Sequence, residues 1–134
     1  MHFTEPVYRN PYWPTWPLLQ ITQSCTHNRC KFCTMYKGIP FRMQPMEWIE
    51  EDLKEIAADM PDARTIQLLS ANPLAMSFEN LTPRLELIRK YLPKLEHMYS
   101  RKWPSGLRLP GVSIYGNHYR NRHNVRTFWK SKCL

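Results

Sequence analysis

Two stretches of the chain place apolar residues at helical spacing, and three shorter runs have the length and content of strands. Ile49, Leu53, Ile56 and Met60 share one side of a helix predicted from about Pro45 to Ala58. Pro45 suits its first turn, and Glu47, Glu50, Glu51 and Asp52 set negative charge near the positive end of its dipole. Phe78, Leu81, Leu85, Ile88 and Leu92 form the same stripe on a second helix, Phe78 to Leu92, which Ser77 can cap and Pro93 ends. Pro83 falls in its early turns. The run Leu18-Leu19-Gln20-Ile21-Thr22 is apt for a buried parallel strand. Thr65 to Leu69, after a turn at Pro61-Asp62, predicts a second strand, and Glu96 to Tyr99 a third.

The order strand, helix, strand, helix, strand points to an α/β fold with parallel strands, because right-handed crossovers pack the helices on the sheet. Functional loops then gather at the C-terminal strand edge. The cysteine segment Cys25–Cys33 follows the first strand and Ser70-Ala71-Asn72-Pro73 follows the second, so both fall at that edge. Three regions follow from this reading. Residues 1–17 form an extended arm, rich in Pro and aromatics from Thr4 to Pro17, in which ring packing replaces helix formation. Residues 18–100 hold the periodic core, and residues 101–134 show neither a helical stripe nor clear alternation.

Charge sharpens the last boundary. The net charge of +8 resides entirely in residues 101–134, because residues 1–100 carry 11 Lys/Arg against 11 Asp/Glu. The tail mixes its basic residues with Trp103, Tyr115, Tyr119, Phe128 and Trp129, the composition of a nucleic-acid surface. A disordered basic extension is a second reading. A third is a reading-frame shift near Arg101, which produces such an abrupt loss of acids and periodicity. Under that reading Cys133 has no designed role. Hydrophobic residues make up 43% of the 134-residue chain, as in folded proteins. No apolar run approaches the ~20 residues of a membrane span, and Met1 to Asn10 lacks the apolar region of a signal peptide. The expectation is a cytoplasmic protein without membrane contact.

The chemistry centres on Cys25-Thr-His-Asn-Arg-Cys30-Lys-Phe-Cys33, a C-x4-C-x2-C segment. In a chain of this kind, cysteines read better as metal ligands than as a disulfide framework. Three thiolates on one loop can hold three irons of a [4Fe–4S] cubane and leave the fourth open to a substrate or cofactor. Zinc is the rival; it needs a fourth ligand, from His27 or Cys133. Inert thiols are the remaining reading. Phe32 is either core packing or a cofactor contact, and Ala71-Asn72-Pro73 either a plain turn or part of the site.

The stretch Leu18-Leu-Gln-Ile-Thr-Gln-Ser-Cys25 through Cys30-Lys-Phe-Cys33-Thr-Met-Tyr-Lys resembles the start of a radical S-adenosylmethionine (radical SAM) core. The commonest spacing in that superfamily is C-x3-C-x2-C, and this chain has one more residue in the first gap. The resemblance covers about residues 6–101. It implies the N-terminal part of a partial (β/α)6, TIM-like barrel, here followed by the irregular basic tail. It implies a [4Fe–4S] cluster on Cys25, Cys30 and Cys33, with SAM chelating the open iron. It further implies reductive cleavage of SAM to a 5′-deoxyadenosyl radical, with an electron donor such as flavodoxin or ferredoxin. Phe32 corresponds to an aromatic near the SAM adenine. Ala71, Asn72 and Pro73 fall where the family contacts the SAM amino group, although this chain lacks the glycines and the acid found there. The expected protein is a fragment of such an enzyme with an unknown substrate. The alternative is a small zinc- or Fe–S-binding module without catalysis that uses its basic tail on RNA.

Overall fold

A computed structural model describes residues 1–8, 15–73, 75–100 and 111–115, with residues 113–115 described by their backbone. In chain order the elements are β1 (Leu18–Leu19), β2 (Thr22–Gln23), β3 (Arg42–Met43), α1 (Met46–Asp59), β4 (Thr65–Leu68), α2 (Phe78–Tyr91), β5 (His97–Ser100) and β6 (Ser113–Tyr115). Strands β1, β4, β5 and β6 form one sheet in that order, parallel throughout. The protein is thus a mixed α/β fold, and among the described residues the sheet is open rather than closed into a barrel.

Alternation along the strands gives this sheet two faces. Ile66 and Leu68 of β4, Met98 of β5 and Leu19 of β1 join Ile49, Leu53 and Ile56 of α1 and Leu81, Leu85 and Ile88 of α2 in one core cluster. Both helices therefore cover the same face. Each fully buried aliphatic side chain there contributes about 1.5–3 kcal/mol relative to exposure. The other face carries Leu18, Gln67 and Tyr99, which lie side by side in register. The N-terminal segment lies against it: Trp16 contacts Tyr99 at 6.1 Å between ring centroids, and the Gln67 Nε2 donates to the Tyr8 carbonyl at 3.4 Å.

The first predicted strand is divided in the structure. After Leu19 the chain leaves the main sheet, and Thr22–Gln23 pairs antiparallel with Arg42–Met43, a strand that the sequence pattern does not announce. Gln20 and Ile21 separate the two pieces, and the buried Gln20 amide donates to Thr4 Oγ1 at 2.7 Å. Pro45 is the N-cap of α1 rather than part of its first turn, and its carbonyl accepts the Ile49 N–H at 3.2 Å. Met60 and Phe78, at the ends of the predicted stripes, are exposed instead of buried. Met60 sits beyond the end of α1, and Phe78, 53% exposed, opens α2 before the stripe meets the core. Ser77 precedes α2 as expected, yet its hydroxyl accepts from the Asn80 side chain rather than from a backbone N–H. The expectation of an irregular tail is corrected at Ser113–Tyr115, which adds a fourth parallel strand beside β5. Residues 9–14 of the arm, Leu74 and residues 101–110 and 116–134, which include Cys133 and most of the proposed nucleic-acid surface, lie outside the described residues.

One polar anchor fixes the chain's first residues. Asp52 is in the middle of α1 and only 1% exposed. Its carboxylate accepts the His2 N–H at 3.0 and 3.1 Å, meets the His2 ring Nδ1 at 2.7 Å, and lies 3.5 Å from the Met1 ammonium. The His2 ring also stacks on Trp48 at 4.9 Å. Replacing Asp52 by Ala strands these donors, so Asp52→Ala should lower the unfolding free energy by about 2 kcal/mol. Urea unfolding measures this, and a midpoint equal to the parent's would show that the strap adds nothing to stability.

Candidate metal centre

The three cysteines occupy the connection between β2 and β3, a long hairpin whose base is the two-stranded ribbon. Side chains tie the ends of this connection together. Ser24 Oγ donates to the Ile39 carbonyl at 2.6 Å, and Gln23 Nε2 donates to the Pro40 carbonyl at 2.9 Å. Inside the loop, Asn28 Nδ2 donates to the Tyr36 carbonyl at 2.8 Å, and Lys37 Nζ donates to the Asn28 carbonyl at 2.9 Å. The Tyr36 ring is buried and packs edge-on against Tyr8 at 6.0 Å. Gly38 takes φ +81°, the left-handed region where a side chain would be strained. Cys33 N–H donates to the Cys30 carbonyl at 3.3 Å, closing a turn with Lys31 and Phe32 at its tip.

The second segment expected at this edge is there. Ser70, directly after β4 and Leu69, donates its hydroxyl to the Ser24 carbonyl at 2.5 Å. Asn72 Nδ2 reaches Thr26 Oγ1 at 2.5 Å and Cys25 Sγ at 3.9 Å, while the Asn72 Oδ1 is buried and has no partner. Ala71 and Pro73 are buried beside it. The cysteine loop and the Ser70–Pro73 segment are therefore in direct contact at the C-terminal edge of the sheet. Phe32 stands apart: it is 90% exposed at the turn tip and packs into no core. His27 is exposed as well.

Cys25, Cys30 and Cys33 are all free and half-buried. Among the described residues, no three His, Cys, Asp or Glu side chains converge closely enough to hold a metal ion. In this arrangement Cys30 and Cys33 share one turn, while Cys25 is held separately against Asn72. The donor types suit a soft-metal or iron–sulfur centre. Gathering all three sulfurs around a metal would require the loop to rearrange.

A carboxylate that motif reading misses completes the edge. Glu5 is the only acidic residue before Glu47, and its Oε2 accepts the Ser24 N–H at 2.5 Å. Burial pushes its carboxyl above the usual range, and the hydrogen bond from the Ser24 N–H partly counters that. Nineteen positions separate Glu5 from Ser24, so only its isolation as an acid in a basic stretch could have flagged it.

No protein-family model matches the chain, and no curated protein and no solved structure matches it.

The raised value at Glu5 has a defined sign in stability. A carboxyl held above its unfolded value of 4.5 favours the neutral form in the fold. Its contribution is present below that value and is lost as pH rises through the folded value. Glu5→Gln cannot titrate. The parent's stability relative to this variant should therefore fall as pH rises above 4.5. Thermal unfolding of both proteins across that range measures it, and parallel curves would overturn the assignment.

Proposed function

We propose that this chain carries the cluster-binding part of a radical SAM core, with Cys25, Cys30 and Cys33 as ligands of a [4Fe–4S] cluster and SAM as its partner cofactor. The observation that carries the reading is the contact of Asn72 with Cys25 and Thr26, which joins the two segments that the sequence resemblance names independently. The parallel sheet with both helices on one face is compatible with the first strands of a partial (β/α)6 barrel. On this reading the face bearing Leu18, Gln67 and Tyr99 corresponds to the barrel interior.

Cys25, Cys30 and Cys33 would hold the cluster, which with bound SAM would supply one-electron reductive chemistry for hydrogen abstraction from a substrate. The chain's own residues then have positional tasks. Cys25, Cys30 and Cys33 supply thiolates and leave one iron open. Ser24 and Ser70 fix the origins of the two segments relative to each other. Asn72 offers a buried amide oxygen, without a partner, to a hydrogen-bond donor at this edge. An electron-donor protein such as a flavodoxin or ferredoxin reaches the loop from solvent, where Arg29, Lys31 and Phe32 are exposed.

Anaerobic reconstitution with iron and sulfide tests the reading. The expected product is brown, holds about four irons per chain, and is lost in Cys30→Ala. Reduction in the presence of SAM should then yield 5′-deoxyadenosine. One tightly held zinc and no iron would replace this reading with a zinc-stabilised module.

A further inference from the structure

Cys30 and Cys33 stand at the two ends of a hydrogen-bonded turn, with the Cys33 N–H on the Cys30 carbonyl at 3.3 Å. A turn of this kind keeps its end Cα atoms within about 7 Å. Disulfides span Cα separations of about 4.4–6.8 Å, so the backbone spacing that this turn imposes overlaps the range a disulfide can bridge. Both thiols are half-buried and neither is bonded. Phe32 projects from the tip at 90% exposure, so among the described residues the turn carries no packed cover that would bar a reagent. Cys25 lies outside the turn and is engaged by Asn72 from the next strand end.

We propose that Cys30 and Cys33 form a reversible disulfide that switches the loop between a metal-binding and a closed state. A small-molecule disulfide such as oxidised glutathione is the oxidant. One cysteine thiolate attacks a glutathione sulfur, breaks that S–S bond and releases one glutathione. The second cysteine thiolate attacks the protein sulfur of the mixed disulfide and releases the other. The protein loses two electrons and two protons, and the oxidant is reduced to two thiols. The disulfide follows from the turn alone. Its consequence rests on the proposed function, because it withdraws two of the three cluster ligands.

The test uses the full chain, reduced, freed of reductant under anaerobic conditions and exposed to oxidised glutathione. Alkylation and peptide mapping follow. Two of the four cysteines should become unreactive, joined as Cys30–Cys33, with Cys25 still alkylated. The same pair should form in Cys25→Ser. A stable glutathione adduct on either cysteine, or a bond involving Cys25 or Cys133, overturns the proposal. Iron uptake is the second readout: the oxidised chain should take up none and regain uptake after dithiothreitol. An oxidised chain that loads as fully as the reduced one overturns the switch. A reduced chain that binds no iron, while still forming Cys30–Cys33, sinks the cluster reading and supports the disulfide.

Discussion

The hydrogen bond from the Ser70 hydroxyl to the Ser24 carbonyl, at 2.5 Å, joins the two corners on which the site is built. Both residues take positive φ, 67° at Ser24 and 83° at Ser70, where a side chain costs of order 1–3 kcal/mol. Such conformations persist only where the surroundings over-determine them, and here they do. Ser24 receives Glu5 on its N–H, gives its hydroxyl to Ile39 and accepts Ser70 on its carbonyl. Each corner turns the chain sharply out of a strand, so the cysteine loop and the Ser70–Pro73 segment leave the sheet side by side. Parallel pairing aligns β1 with β4, but Ser24 lies beyond β1 at the end of β2, so the Ser24–Ser70 bond is what joins the end of the ribbon strand to the end of β4.

That corner is held from outside as well as within. Asp52 in α1 anchors residues 1 and 2, Gln20 and Gln44 hold Thr4, and Glu5 then reaches Ser24. The N-terminal segment thus runs from the helix layer to the loop edge, tied by polar contacts. Further on, Tyr8 and Trp16 meet the sheet face that the helices leave uncovered. Arg84 completes the frame from α2: its Nη2 donates to the Gln44 carbonyl at 2.9 Å, just after β3, and burial lowers the pKa of its guanidinium. Arg84, holding the residue after β3, and Glu5, holding the residue after β2, are both partly desolvated. The hairpin holding the cysteines is therefore gripped on two sides by groups that are costly to leave unpaired.

Much of the fold was legible because long helices carry their period in many residues. Ile49, Leu53, Ile56, Leu81, Leu85 and Ile88 all reach the core as their spacing predicts. Legibility failed where elements are short. Two-residue strands such as β2 and β3 contain no period, and their pairing depends on the ribbon they form together. Ser113–Tyr115 is hidden in a basic, acid-free stretch, and its place in the sheet comes from β5 alongside it. Stripe ends misled for a similar reason, since Met60 and Phe78 keep the spacing but lie where the helix no longer faces the core. At the site, cysteine spacing marked the loop and strand order marked its edge. Glu5 escaped because hydrogen bonding to a distant backbone N–H leaves no trace in local sequence.

That the three cysteines do not yet converge on one metal position follows from how the loop is tied. Its fixed points are Ser24, Asn28, Tyr36 and Ile39, all linked by hydrogen bonds, whereas the turn between them is closed by the Cys33–Cys30 bond. The scaffold therefore sets the loop's ends and leaves its middle adjustable. The contact restraining Cys25 is a single long bond from Asn72 at 3.9 Å, worth at most about 1 kcal/mol. Metal–thiolate binding in small protein sites is of order 10 kcal/mol. A contact tenfold weaker does not oppose ligation; it stations one sulfur at the sheet edge while the turn stays free to approach. On the proposed reading, the fold supplies the position of the centre and the metal supplies its final geometry.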